Sequence, residues 1–159
     1  MTKKNILRSL ILAVFSFILV MPSAFAATAI VDNDATSSQP GWNQSEGPWK
    51  WSSGSGYNND YRSIPANTSS IGAYYLWHYN VQSVNASYYV YLANPSFNCP
   101  SAAYQIGEYG GWVNVNQNTA PTGWTYLKQY KGTHHFINLS PGQSTKSGTI
   151  GADATKLVY

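Results

Sequence analysis

Beside hydroxyls and amines, 159 residues offer six carboxylates, three histidines and one cysteine for proton transfer, metal ligation or nucleophilic attack. Glycoside hydrolysis needs two carboxylates set across one bond. Asp32, Asp34, Glu46, Asp60, Glu108 and Asp153 are scattered along the chain, and no spacing among them nominates a pair. His134 and His135 are adjacent, and neighbours on a strand point to opposite faces, so they cannot readily share a zinc ion. His78 stands inside an aromatic run and reads as a half-buried, hydrogen-bonded side chain. Serines are plentiful, but no Gly-x-Ser-x-Gly elbow presents one as a nucleophile. The expectation is a protein that is not an enzyme and that carries no cofactor. Cys99 has no partner within the chain, which leaves a small buried apolar residue or an intermolecular bridge, the first being favoured.

The dense chemistry is aromatic. All six Trp and all thirteen Tyr lie beyond residue 26, among Asn, Gln, Ser and Thr rather than charges. A pyranose ring offers an apolar C–H face and hydroxyl edges, so stacking on Trp or Tyr with amide hydrogen bonds suits a neutral polysaccharide. Rigid rings also have few rotamers to lose on binding. Core packing is the competing use of every ring. The candidate ligand-binding residues are Trp49, Trp51, Tyr57 and Tyr61, in or beside a polar, Gly-rich stretch, followed by Trp124 and Asn116. Asp32 and Asp153 form a second constellation. First and last strands often neighbour each other in sandwiches, and the two carboxylates could then hold a structural calcium with backbone oxygens. The favoured alternative is that each accepts backbone hydrogen bonds at a strand end.

Charged residues make up 9% of the chain, against about 25% in soluble proteins. Lys3, Lys4 and Arg8 supply the whole positive excess, and the remaining charges balance. That basic start, the apolar run over 10–21 and the Ala24-Phe25-Ala26 pattern read as a signal peptide cleaved after Ala26. The run is too short to span a bilayer, which takes about 20 residues. Residues 27–159 are then expected to form one secreted or cell-surface domain with no membrane span. Its positive charges are dispersed, which argues against nucleic acid and against a basic membrane-surface helix. The oligomeric state has no signature in the sequence.

The elements that must position these residues follow a period of two, with Val, Ile, Thr and aromatics between Gly, Pro, Asn and Ser clusters. Strands are predicted over 28–33, 57–63, 73–81, 87–93, 102–108, 112–117, 125–130, 133–139 and 149–158. Nine short strands imply an all-β, two-sheet antiparallel β-sandwich of jelly-roll or Greek-key type. Val113 and Val115 should point inward, opposite Trp112, Asn114 and Asn116. Tyr88, Val90 and Leu92 share one face while Tyr89 and Tyr91 share the other. Likewise Tyr75, Trp77 and Tyr79 oppose Tyr74, Leu76 and His78. Strands aromatic on both sides are either covered twice or present one face to a partner. Residues 37–59, with Trp42, Trp49, Trp51 and Tyr57, read as a long ordered excursion packed on the sandwich.

Several of these blocks together resemble the golvesin/xanthan lyase carbohydrate-binding-like domain. They are Ile30-Val31-Asp32-Asn33, Trp49 with Tyr57 and Asp60-Tyr61, Tyr88-Tyr89-Val90-Tyr91, and Ala103-Tyr104-Gln105-Ile106. Val113-Asn114-Val115-Asn116-Gln117 follows, then Gly123-Trp124 with Leu127, and the close is Gly151-Ala152-Asp153-Ala154-Thr155-Lys156-Leu157. Two positions depart from the family pattern: Ala35 replaces a second acidic residue and Thr155 replaces Val. The resemblance covers nearly all of residues 27–159. It implies a β-sandwich module for carbohydrate or surface attachment, whose partner would be a polysaccharide or cell-surface glycan. The competing expectation is a structural or protein-interaction component of the cell envelope or extracellular matrix.

Overall fold

In the computed structural model, residues 26–36, 40–66, 71–82, 84–93 and 95–159 are described. The signal segment expected from the sequence therefore lies outside the described residues, apart from Ala26. Twelve strands follow in chain order: β1 (Thr28–Val31), β2 (Gly41–Glu46), β3 (Lys50–Ser53), β4 (Asp60–Ala66), β5 (Tyr74–Tyr79), β6 (Val84–Leu92), β7 (Ala102–Ile106), β8 (Trp112–Val115), β9 (Gly123–Gly132), β10 (His135–Ser140), β11 (Gly148–Ala152) and β12 (Thr155–Val158). They form a four-stranded sheet β1-β12-β6-β9, a five-stranded sheet β2-β5-β10-β7-β8 and a three-stranded sheet β11-β4-β3. No helix among the described residues is long and apolar enough to cross a membrane.

The alternation in the strands decides which side chains are buried. Ala86, Tyr88, Val90 and Leu92 of β6 point inward, as do Tyr75, Trp77 and Tyr79 of β5 and Ile137 and Leu139 of β10. They belong to one buried cluster that also takes Ile64 and Ile150 from the three-stranded sheet. An inward tyrosine brings a hydroxyl that is costly to bury unbonded, and these find partners across the sandwich. Tyr79 donates to Thr155 Oγ1 at 2.7 Å, and the Tyr88 hydroxyl lies 2.5 Å from His135 Nδ1. The amide nitrogen of Gln117 reaches the Tyr104 hydroxyl at 2.7 Å and the Gly151 carbonyl at 3.0 Å. Its oxygen accepts from the Gly151 amide at 3.1 Å. The four- and five-stranded sheets thus pack face to face as a β-sandwich.

The architecture expected from the sequence is present, with more strands and a third, small sheet. The predicted strand 149–158 breaks at Asp153-Ala154, where the chain leaves the three-stranded sheet for the four-stranded one. β2 and β3 fall within the stretch read as a long ordered excursion, and neither is predicted as a strand from the sequence. Their side chains are mostly half-exposed or exposed, so backbone pairing with β5 and β4 holds them rather than a buried face. Cys99 is fully buried, its thiol facing the Lys146 carbonyl at 3.5 Å. His134 is exposed while His135 is buried, so the two rings do face opposite sides.

Candidate functional site

The hairpin between β3 and β4 turns over a buried corner. Gly56 has φ 96°, and a Cβ there would stand 2.8 Å from Asp153 Oδ2 as well as against the Asp60 carbonyl. Asn58 and Asn59 follow with φ 52° and 72°, a left-handed conformation that Asn tolerates better than most residues. The tight Gly-Tyr-Asn-Asn turn brings the Tyr57 amide onto both Asp153 oxygens, at 3.2 and 3.0 Å. Asp153 also accepts from the Ala154 amide at 2.8 Å. Asp32 accepts from the Asn33 amide at 2.7 Å and from Asn58 Nδ2 at 2.5 Å. Two carboxylates from the ends of β1 and β11 therefore grip one turn.

Burial disfavours charge at this corner. It pushes the Asp153 carboxyl up to about 7, against the pull of the Tyr57 and Ala154 amides, with nearby Asp32 and Asp60 adding to the rise. Asp32 is raised for the same leading reason. N–H donors occupy carboxylate oxygens of both residues. No group of three or more His, Cys, Asp or Glu able to hold a metal is found among the described residues.

The gripped turn sets Tyr57 on the outer face of the four-stranded sheet. Its ring centroid lies 5.6 Å from Tyr91 and 5.5 Å from Trp124. Tyr91 and Trp124 are cross-strand partners, edge to face at 5.3 Å. Two residues along, Tyr89 pairs with Tyr126, their rings 5.4 Å apart. Lys156, opposite Tyr89 on β12, extends its ammonium over both sides of the row, 4.6 Å from the Tyr89 ring and 4.5 Å from the Trp124 ring.

A β-bulge makes this face. Tyr88 is opposite Lys128 but Tyr89 is opposite Tyr126, so Leu127 is the extra residue. Strand side chains have a period of two, and a slip of one exchanges the faces. The bulge lets Leu127 enter the core while Trp124 and Tyr126 stay outside beside Tyr91 and Tyr89. Tyr126 is 54% exposed, and the other rings of the group are half-buried by one another.

Of the residues nominated from sequence, Tyr57 and Trp124 come together here. The others go elsewhere. The Trp49 indole N–H lies 3.0 Å from the Glu46 and Tyr74 carbonyls, and its ring stands edge-on to buried Tyr75 at 5.1 Å. Tyr61 packs edge-on against buried Phe97 at 5.0 Å. Trp51 is exposed on the edge strand β3, outside the cluster. The Asn116 carbonyl oxygen of the side chain accepts from the Asn118 and Thr119 amides, closing a turn. Tyr89, Tyr91, Tyr126 and Lys156 were missed as individual site residues. The signal for Tyr89 and Tyr91 was the strand 87–93, aromatic on both faces; Tyr126 and Lys156 lie on β9 and β12 and join them only through cross-strand pairing.

Flat rings held edge to face leave apolar surfaces open to a ligand and add little entropy to lose. A Paenibacillus xanthan lyase contains a region similar to this chain, with a TM-score of 0.66 and 25% sequence identity. The similarity covers 82% of this chain and 13% of the lyase chain. It is a distant link at the level of the fold, to a small part of a much larger carbohydrate-active protein. No family model matches the chain, and no curated protein does either.

Proposed function

We propose that this chain is a secreted, non-catalytic carbohydrate-binding module of the golvesin/xanthan lyase carbohydrate-binding-like type. The glycan lies on the outer face of the four-stranded sheet, across Tyr57, Tyr91, Trp124, Tyr89 and Tyr126. The observation that carries this reading is the interlocked aromatic row with Lys156 fixed between Tyr89 and Trp124. Likeness to part of a xanthan lyase supports a carbohydrate-related role. The hydrogen-bonded Asp32 and Asp153 serve the turn that carries Tyr57.

The purified protein, added to a panel of soluble and insoluble polysaccharides, should bind saturably to at least one. Tryptophan fluorescence should change on binding, and soluble oligosaccharide should compete. Folded protein that binds none of the panel would instead favour a structural or protein-interaction role in the cell envelope or matrix.

A further inference from the structure

A second recess lies away from the aromatic face, between the turn after β1, the outer edge of β2 and the inward side of β4. It encloses about 370 Å³ and is lined by Asn33, Asp34, Asn43, Ser45, Trp49, Arg62 and Tyr75, with Gly47. Most of its frame is settled. Tyr75 donates its hydroxyl to the Asn33 carbonyl and accepts a bond from the Arg62 guanidinium, and burial pushes its pKa up to about 12. Asn43 Nδ2 bonds the Asp32 and Ala35 carbonyls at 3.0 and 2.9 Å. Trp49 is pinned by the two carbonyls already described. One group is not settled. Asn33 is only 2% exposed, yet neither its side-chain Nδ2 nor its side-chain Oδ1 has a partner among the described residues.

A buried amide with both ends unbonded is costly unless something supplies the missing bonds. Around it stand a planar cation at Arg62, an acceptor at Asp34, a hydroxyl at Ser45 and an indole at Trp49. Arg62 shares the inward side of β4 with Asp60 and Ile64, which fixes where its guanidinium enters. Its fork matches a carboxylate in two parallel bonds. Asp34 and Asn33 match hydroxyls, and the indole matches a pyranose face.

We infer that this recess binds one carboxylated pyranose unit, its carboxylate on Arg62 and its hydroxyls on Asp34 and Asn33. The sugar part rests on the glycan-binding reading above; the site itself is separate from the aromatic row. A binding module with both sites would hold an acidic polysaccharide by a side unit as well as by its stacked backbone.

The test is an NMR titration of the full chain with methyl glucuronide, methyl glucoside and acetate, following the Asn33 and Asn43 side-chain amides and the Trp49 indole. Methyl glucuronide should shift these signals saturably, at least tenfold more tightly than methyl glucoside or acetate. Arg62→Gln should weaken it at least tenfold. Ser45→Trp, an exposed position lining the recess directly across from Tyr75 on β5, should block it too. Trp124→Ala should leave it unchanged. Absence of shifts at Asn33, equal response to the glucoside or to acetate, or full affinity in folded Arg62→Gln and Ser45→Trp would each overturn the inference. If polysaccharide still binds and is lost in Trp124→Ala while glucuronide leaves the recess untouched, this inference alone fails. If glucuronide fills the recess and Trp124→Ala keeps full polysaccharide affinity, the aromatic-face reading alone fails.

Discussion

The two outer faces of the sandwich carry similar numbers of rings and use them differently. On the five-stranded sheet, Trp42 lies flat on His78 with ring centroids 3.9 Å apart and 17° between planes, and Phe136 follows at 6.2 Å. Gln44 donates to the Tyr74 hydroxyl at 2.7 Å and Asn138 donates to Gln105 at 3.4 Å. Trp112, 48% exposed, stands alone at the far strand β8. There the flat ring faces and amides are largely spent on each other. On the four-stranded sheet the rings meet at steep angles, with Lys156 over one face each of Tyr89 and Trp124, so none lies flat on another ring, and a turn braced by two carboxylates adds Tyr57 from outside the sheet. The proposed binding face is distinguished by how its rings are oriented, and an aromatic count does not reveal that.

The largest expected effects concern the parts with no counterpart on the other face. Gly56→Ala puts a side chain at φ 96° against Asp153 and Asp60. Such a change should cost on the order of 2 kcal/mol or more, seen as a large fall in melting temperature. An unchanged transition would mean the turn relaxes freely and does not brace Tyr57. Trp124→Ala should lower polysaccharide affinity by about 30-fold or more, since a buried Trp anchor is typically worth at least 2 kcal/mol. Its melting temperature should fall by only a few degrees. Trp42→Ala and Trp112→Ala should each keep affinity within about twofold, as peripheral contacts do. The reverse pattern, with affinity lost in the Trp42 or Trp112 variant alone, would exchange the roles of the two faces.

How much of this was legible beforehand depends on what holds each part. Period-two segments with a buried face, such as Tyr88-Val90-Leu92 and Val113-Val115, announce themselves because burial writes the pattern. The neighbouring of β1 and β12, and hence of Asp32 and Asp153, was readable from the sandwich class. β2 and β3 were not, since Trp42 to Glu46 and Lys50 to Ser53 hide no continuous apolar face and depend on a partner strand's backbone. Tyr57 was legible as a ring in or beside a polar, Gly-rich stretch, but the strand predicted over 57–63 begins only at Asp60, because Tyr57–Asn59 form a tight turn with Asn58 and Asn59 at positive φ. Trp49, in the same stretch, differs only in that two carbonyls from Glu46 and Tyr74 capture its indole nitrogen, and one of these is remote in sequence. The bulge at Leu127, which sets the faces of 128–130 against those of 124–126, is a register offset between distant strands, which no local pattern encodes.

A smaller effect separates the faces by pH. With a carboxyl at about 7 against an ordinary 3.8, folded protein holds a proton on Asp153 that unfolded chain lacks between these values. Stability therefore rises as pH falls from about 8 toward 5 and is lost as pH climbs through 7, by the linkage of proton binding to folding. Each tenfold difference in proton affinity between folded and unfolded chain is worth about 1.4 kcal/mol, so a rise of several degrees in melting temperature is expected. Asp32, raised in the same direction, adds to it. Asp153→Asn, whose side-chain oxygen can still face the Tyr57 and Ala154 amides, should flatten most of this dependence. A slope unchanged in Asp153→Asn would assign the titration to other groups and free the turn from it.

The smallest effect bears on what Lys156 does between Tyr89 and Trp124. An ammonium over a ring contributes about 0.5–1 kcal/mol at an exposed site, enough to set the spacing of two rings but little more. Lys156→Met keeps the length of the stem and much of its packing while removing the charge. If the lysine is a spacer, a neutral glycan should lose no more than about fivefold in affinity, in line with that contact energy. Binding should then be nearly independent of salt, because no ionic contact to the ligand is screened. If instead affinity falls steeply in Lys156→Met and wild-type binding weakens with salt, the ammonium touches the ligand. The face would then be selecting for charge as well as ring shape, and the contrast between the two outer faces would rest on one cation rather than on the orientation of their rings.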